Sequence, residues 1–234
     1  MTFDFIAPGI QLIGRFGRLK TGIWLLRHKS ECMLLEMPDL IKIDPFPNPW
    51  NPIADFIDQE NLHLKFFSAT HSHYDHFNSY PYFHEKFPKV PIIVNRFFFR
   101  NFEYSNFIKP QNLDNINDIN ESIIKRGVKI YCFETKCFET NLEDEPLYLI
   151  HAPKHSWSDT MVIFRGCMIT GDWWLGPGDP NKNNIPLKTI NESIDFLEKF
   201  CYKKEYIIHS LFSAHANEFR YEINFIELME QTRP

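Results

Sequence analysis

Residues 70–78 read THSHYDHFN, placing three of the chain's ten histidines and one aspartate within six positions. An apolar run, LKFFSAT (64–70), leads straight into them. His71 and His73 alternate, so an extended segment turns both side chains to one side. Asp75 and His76 follow where the chain can turn and present them as a second group. Imidazole and carboxylate together suit zinc, iron or manganese better than calcium or magnesium. Four such ligands exceed what one tetrahedral ion takes from so short a segment. A two-metal site, with the cluster divided between the ions, accounts for all four.

Such a site needs further ligands, and the chain offers them where other apolar runs end. IHAPKHSWSD supplies His151 and His155, ITGDWW supplies Asp172, and IIHSLFSAHANEF supplies His209 and His215. Isolated histidines such as His28, His63 and His84 are read as ordinary surface or core residues.

The runs that carry these groups are themselves strand-like. IQLIGRF (10–16), TGIWLLRH (21–28), CMLLEM (32–37), LIKIDPF (40–46), LKFFSAT and VPIIVN (90–95) fill the first half. PFPNPWNP (45–52), with four prolines, reads as an irregular connection, and IADFIDQEN as one or two helical turns. VKIYCFETKCFET (128–140) reads as a strand or hairpin, and its repeated CFET as accidental similarity without a metal role. PLYLIHAP (146–153), TMVIFRG (160–166), CMITGDWW (167–174) and YIIHSLFSA (206–214) make a second β series. Between them, IPLKTINESIDFLEKF (185–200) has Leu187, Ile190, Ile194 and Leu197 at helical spacing, with Phe196 and Phe200 as an i, i+4 pair. NEFRYEINFIELMEQ reads as a closing helix. Two similar halves, each a sheet under outer helices, with no Pro/Gly/Ser-rich linker, predict a single domain over 1–234.

Composition narrows the function. The chain has 234 residues, 44% of them hydrophobic, enough for a substantial core, and its formal net charge of −5 with no basic block argues against a nucleic-acid partner. No run approaches the roughly 20 apolar residues that span a bilayer, so no membrane partner is expected. MTFDFIAPGIQ lacks the basic and apolar regions of a secretory signal. The five cysteines, Cys32, Cys132, Cys137, Cys167 and Cys201, are odd in number and form no C-x-x-C pair. They read as reduced thiols in a soluble, cytoplasmic protein.

With these residues in place, the chain resembles the metallo-β-lactamase-fold superfamily of metallohydrolases. THSHYDH is similar to its H-x-H-x-D-H signature, HAPKHS to its H-T-P-G-H-T segment and ITGD to its strand-Gly-Asp. The resemblance runs in order through most of the chain. It implies an α/β (α+β) fold, a four-layer αβ/βα sandwich of two mixed β-sheets packed face to face with outer helices. It also implies two divalent ions, zinc first, with iron or manganese as alternatives. His71, His73 and His155 would hold one ion. Asp75, His76 and a late histidine would hold the other, and Asp172 would bridge them. His215 in FSAHAN fits the late position, with His209 as the alternative. Lys154 and Ser156 stand where the family usually has Gly and Thr, and a missing Gly implies a different backbone path before His155. Asp44 in IKIDPF fits an acid the family keeps at the end of an early strand, in a supporting role.

The implied chemistry is hydrolysis by a water shared between two metals roughly 3.5–4 Å apart, with its pKa lowered towards about 7. In that scheme Asp75 orients the nucleophile, and no cysteine or serine is needed. The expected substrate is a small ester, thioester or lactone. Only nineteen residues follow His215, which is expected to disfavour the glutathione-thioesterase branch with its added helical region. Trp173, Trp174 and Trp157 are candidate pocket residues, as are, with core packing equally open to them, Phe97, Phe98, Phe99, Phe102 and Tyr104. Two alternatives remain: a mononuclear iron dioxygenase of the persulfide type, or a non-catalytic metal-binding protein.

Overall fold

A computed structural model describes residues 3–40, 48–98, 130–176, 184–215 and 218–234. Phe5–Ala7 (β1), Ile10–Phe16 (β2), Thr21–His28 (β3), Glu31–Leu35 (β4), His63–Ser68 (β5), Ile92–Asn95 (β6) and Ile130–Phe133 (β7) form one sheet in chain order. Its first four strands are antiparallel, and β4 to β7 run parallel. Cys137–Leu142 (β8), Glu145–His151 (β9), Thr160–Phe164 (β10), Cys167–Ile169 (β11), Ser210–Phe212 (β12) and Phe219–Tyr221 (β13) form the second. Its β11–β12 pair is parallel and its other pairs are antiparallel.

The helices are Trp50–Gln59 (α1), Tyr74–Phe77 (α2), Tyr80–Lys86 (α3), Leu187–Lys204 (α4) and Phe225–Thr232 (α5), with a 3-10 turn at Gly171–Trp173. Among the described residues no helix is long and apolar enough to cross a membrane.

Why the strands read as continuous apolar runs is explained by three apolar layers. Trp24, Leu26, Met33, Leu35 and Phe66 meet Leu147, Leu149, Val162, Phe164 and Ile169 between the sheets. Their neighbours in sequence, Ile23, Leu25, Cys32, Leu34 and Phe67, face the other way and pack with Trp50, Ile53 and Phe56 of α1 and Phe83 of α3. On the far side Ile150, Met161, Ile163 and Met168 pack beneath Ile190, Ile194, Leu197 and Phe200 of α4 and Phe225 and Met229 of α5. A strand covered on both faces must be apolar at odd and even positions alike. The four-layer sandwich implied by the sequence is the observed architecture.

Several local expectations are corrected. Trp50 and Pro52 of the proline-rich stretch open α1, because proline is tolerated in a helix's first turn, where no i→i−4 bond is lost. The two CFET segments are no hairpin: Ile130–Phe133 and Cys137–Leu142 belong to different sheets, and the chain crosses between layers there. Leu187 is 59% exposed at the first turn of α4, and Ser193 and Cys201 join the buried face instead. The closing helix is shorter than expected. Phe219–Tyr221 pairs with β12 as an edge strand, and α5 starts after Asn224, whose side chain accepts a hydrogen bond from the Glu227 N–H at 3.3 Å. All of LIKIDPF (40–46) except Leu40 lies outside the described residues, Asp44 included, as do Phe99, Phe102 and Tyr104.

All five cysteines are free. Burial pushes the Cys32 and Cys201 thiols up to about 12 and those of Cys132, Cys137 and Cys167 to about 11. At pH 8 the folded chain therefore carries almost no thiolate, the reactive form. Iodoacetamide at that pH is expected to label the native protein very slowly and to label five thiols per chain after unfolding. Fast native labelling, or fewer than five thiols in the unfolded chain, contradicts this.

Candidate metal centre

At one end of the sandwich β4, β5, β9, β11 and β12 all run out, and each hands the chain to a loop bearing a polar group. After β5 the chain is irregular through residues 69–73, with His73 in an extended conformation (φ −64°, ψ 151°), and α2 then begins. The irregular part carries His71 and His73; the first helical turn carries Asp75 and His76. The loop after β9 carries His155, the turn after β11 carries Asp172, and the turn after β12 carries His215.

These seven side chains converge as two groups, His71 with His73 and His155, and Asp75 with His76, Asp172 and His215. In the first, His73 Nδ1 lies 2.9 Å from His71 Nε2 and 3.1 Å from His155 Nε2. In the second, His76 Nε2 lies 3.2 Å from Asp75 Oδ2, and His215 Nε2 lies 3.9 Å from the same oxygen. Asp172 stands between them. Its Oδ2 is 3.6 Å from His155 Nε2 and 4.0 Å from His71 Nε2, while its Oδ1 is 3.0 Å from His215 Nε2 and 3.5 Å from His76 Nε2.

The electrostatics differ between the groups. Burial, reinforced by neighbouring His76, holds His71 well below the usual imidazole range and also lowers His73. Burial brings His155 to about 4. The first group is thus neutral imidazole at pH 7, the form that ligates metal. In the second, burial alone would raise both carboxyls, but His76 overrides it, holding Asp75 at about 2 and Asp172 well below the carboxylate range. His76, although buried, is raised well above the imidazole range by Asp75, Glu36 and Asp172. Positive charge is strongly favoured at that point. Both His76 nitrogens and Asp172 Oδ1 are buried without a well-directed hydrogen bond, and Nε2 and Oδ1 face each other at 3.5 Å within the second ligand group. The donor set fits two cations of the zinc, iron or manganese kind.

Supporting contacts set these positions. Gly171, at φ +60°, lets the chain turn before Asp172; a Cβ there would meet Thr70 Oγ1 at 2.3 Å. The His155 loop wraps around Asp159, whose Oδ2 accepts the backbone N–H groups of Lys154, His155 and Ser156 at 2.9, 2.6 and 2.8 Å. Burial pushes the Asp159 carboxyl up to about 7 against those three donors. Ser158 Oγ accepts the Ser72 N–H at 3.1 Å, and the Thr160 N–H donates to Thr70 O at 2.7 Å, tying the loop to the HSHYDH segment. Lys154 is buried, and its Nζ donates to Trp173 O at 2.9 Å. Lys154, where the sequence resemblance leads to the expectation of Gly, thus joins the His155 loop to the turn carrying Asp172.

Glu36, absent from the sequence reading, follows β4 at φ +75° and is fully buried. Its Oε1 lies 3.1 Å from His76 Nδ1 and accepts the Thr70 hydroxyl at 2.5 Å; Oε2 accepts the Thr70 N–H at 3.3 Å. Glu36 is thus an acid at an early strand end in contact with the ligand segment, while Asp44, expected in such a role, lies outside the described residues. The signal was available, because CMLLE ends an apolar run on an acid as ITGD does. Thr21 and Asp159 carried no such signal.

Other candidates fall elsewhere. His209 is exposed, with its Nδ1 2.9 Å from Ser210 Oγ, and it belongs to neither group. His151 Nε2 donates to Trp157 O at 2.8 Å, and its ring stacks on Phe97. Trp173 and Trp174 are core residues rather than pocket walls: both are buried in the apolar layer beneath α4, at 0% and 4% exposure. Phe98 is likewise core, edge-on to Phe77. Trp157, beside His155, is 42% exposed.

No protein-family model matches the sequence. The structure is similar to that of DIM-1 metallo-β-lactamase, with a TM-score of 0.66 over 99% of this chain and 94% of that one at 10% identity. The chain has the metallo-β-lactamase fold. A metallo-β-lactamase from Pontibacter korlensis gives a TM-score of 0.64 over 99% of this chain and 96% of its own, at 11% identity. In sequence, hydroxyacylglutathione hydrolase 1 of Vibrio vulnificus is 26% identical over 217 residues, 89% of this chain and 72% of that protein. Placing both ligand groups at the strand ends of a metallo-β-lactamase fold explains why they come from four separate segments.

Proposed function

We propose that this chain is a metal-dependent hydrolase that holds two divalent ions, zinc first, and cleaves a small thioester, ester or lactone. The single observation that carries the reading is Asp172, whose two oxygens face separate ligand groups at 3.6 and 3.0 Å. His71, His73 and His155 would hold one ion, and Asp75, His76 and His215 the other. Two ions held there would supply a hydroxide nucleophile at neutral pH and would polarise the substrate's electrophilic oxygen. Asp75, ionised at neutral pH, would orient that nucleophile, and Asp172 would hold the two ligand groups in register. Trp157, exposed next to His155, offers an apolar surface to the substrate. The Vibrio vulnificus relative is named for hydrolysis of a hydroxyacylglutathione, and against the earlier expectation that disfavoured that branch, this supports testing thioesters first.

The test is a hydrolysis screen of zinc-loaded protein on S-acylglutathiones, aryl esters and simple lactones, with Asp75→Asn as the control. Turnover of at least one class, lost in the control and after chelation, supports the proposal. Oxygen consumption with glutathione persulfide and no hydrolysis would replace it with the iron dioxygenase reading.

A further inference from the structure

We infer that Thr21 is a positioning residue whose single hydroxyl orients both outer ligands of the second ion, Asp75 and His215. The inference rests on the two-metal reading above. Thr21 opens β3 and is fully buried. Its Oγ1 donates to Asp75 Oδ2 at 3.2 Å and lies 3.3 Å from His215 Nδ1. A hydroxyl has one proton and two lone pairs, and the ionised carboxylate can only accept. The Thr21 proton therefore goes to Asp75, and His215 must donate its Nδ1–H to the oxygen. That assignment fixes the His215 tautomer and leaves Nε2, the atom 3.0 Å from Asp172 Oδ1, with its lone pair directed into the ligand group.

The backbone holds this arrangement in place. The Gly22 N–H donates to Ala214 O at 2.8 Å, drawing the start of β3 against the turn that carries His215. Contact is close enough that a Cβ on Gly22 would meet Leu12 Cδ1 at 2.9 Å and Ala214 O at 3.1 Å. Thr21 thus ties a strand of the first sheet to a ligand of the second. Its side-chain hydrogen bonds go to the second group, and among the described residues none goes to His71, His73 or His155.

The experiment compares full-length wild type, Thr21→Val and Thr21→Ser for zinc stoichiometry and stepwise affinity, measured by competition with a chromophoric chelator. Circular dichroism and the melting temperature of each check the fold. Val keeps the shape and removes both hydrogen bonds; Ser keeps the hydroxyl. The expected result is that Thr21→Val weakens the second zinc about 10- to 100-fold and leaves the first unchanged, while Ser binds as wild type does. Should Val fail to fold, Thr21→Ala is expected to show the same selective loss. Wild-type affinity for both ions in Thr21→Val, or equal loss in Ser and Val, overturns the inference. A wild type that takes only one ion overturns the two-metal reading beneath it.

Discussion

Asp172→Ala is expected to lose both ions together, and hydrolysis with them. Every other candidate ligand belongs to one group, whereas Asp172 presents one oxygen to each. Removing a partner that merely supports a ligand typically costs 10–100-fold in metal affinity, so deleting a shared ligand is expected to cost more than about 100-fold at each ion. The apo fold should survive, because the carboxylate sits at the end of the sandwich and outside its three apolar layers. His209→Ala serves as the control and should bind both ions as wild type does. Metal titration with circular dichroism distinguishes the outcomes. An Asp172→Ala protein that keeps either ion at wild-type affinity contradicts the bridging role.

The second large effect is expected at Glu36. Its Oε1 stands 3.1 Å from His76 Nδ1 and its oxygens accept both donors of Thr70, so its negative charge favours the proton on Nδ1 and leaves Nε2 to the ligand group. Glu36→Gln can place an amide N–H against His76 Nδ1, which pushes the ring proton to Nε2, the nitrogen facing Asp75 and Asp172. The second ion should then bind about 10–100-fold more weakly while the first is retained. Glu36→Ala should lower stability as well, because buried Thr70 donors lose their acceptor at roughly 1–3 kcal/mol per group. Stepwise zinc affinities and denaturant midpoints read the two effects separately. Unchanged second-ion binding in both variants would show that His76 needs no such partner.

Glu36 also marks where the sequence ran short. The strands were legible because burial on both faces makes the runs around Trp24, Met33 and Val162 apolar throughout. The HSHYDH segment was legible because its spacing alone separates an extended pair from a helical pair. What sequence could not supply was distance between segments. Asp44 and Glu36 both follow apolar runs, and only the fold places Glu36 3.1 Å from His76. Trp173 and Trp174 adjoin Asp172 in sequence, yet the 3-10 turn sends them into the core beneath α4. Sequence context preferred His215 but left His209 open; the fold leaves His209 exposed beside β12 while His215 reaches Asp172. Thr21 was invisible because it lies 54 residues from Asp75 and 194 from His215, with nothing local to distinguish it from any strand threonine.

The central claim, two ions held by divided groups with a shared aspartate, is tested most directly by counting metal. Elemental mass spectrometry on purified wild type, His76→Ala and His215→Ala should find about two ions per wild-type chain, falling towards one in each variant. A single ion in the wild type that His76→Ala leaves unaffected would contradict the account.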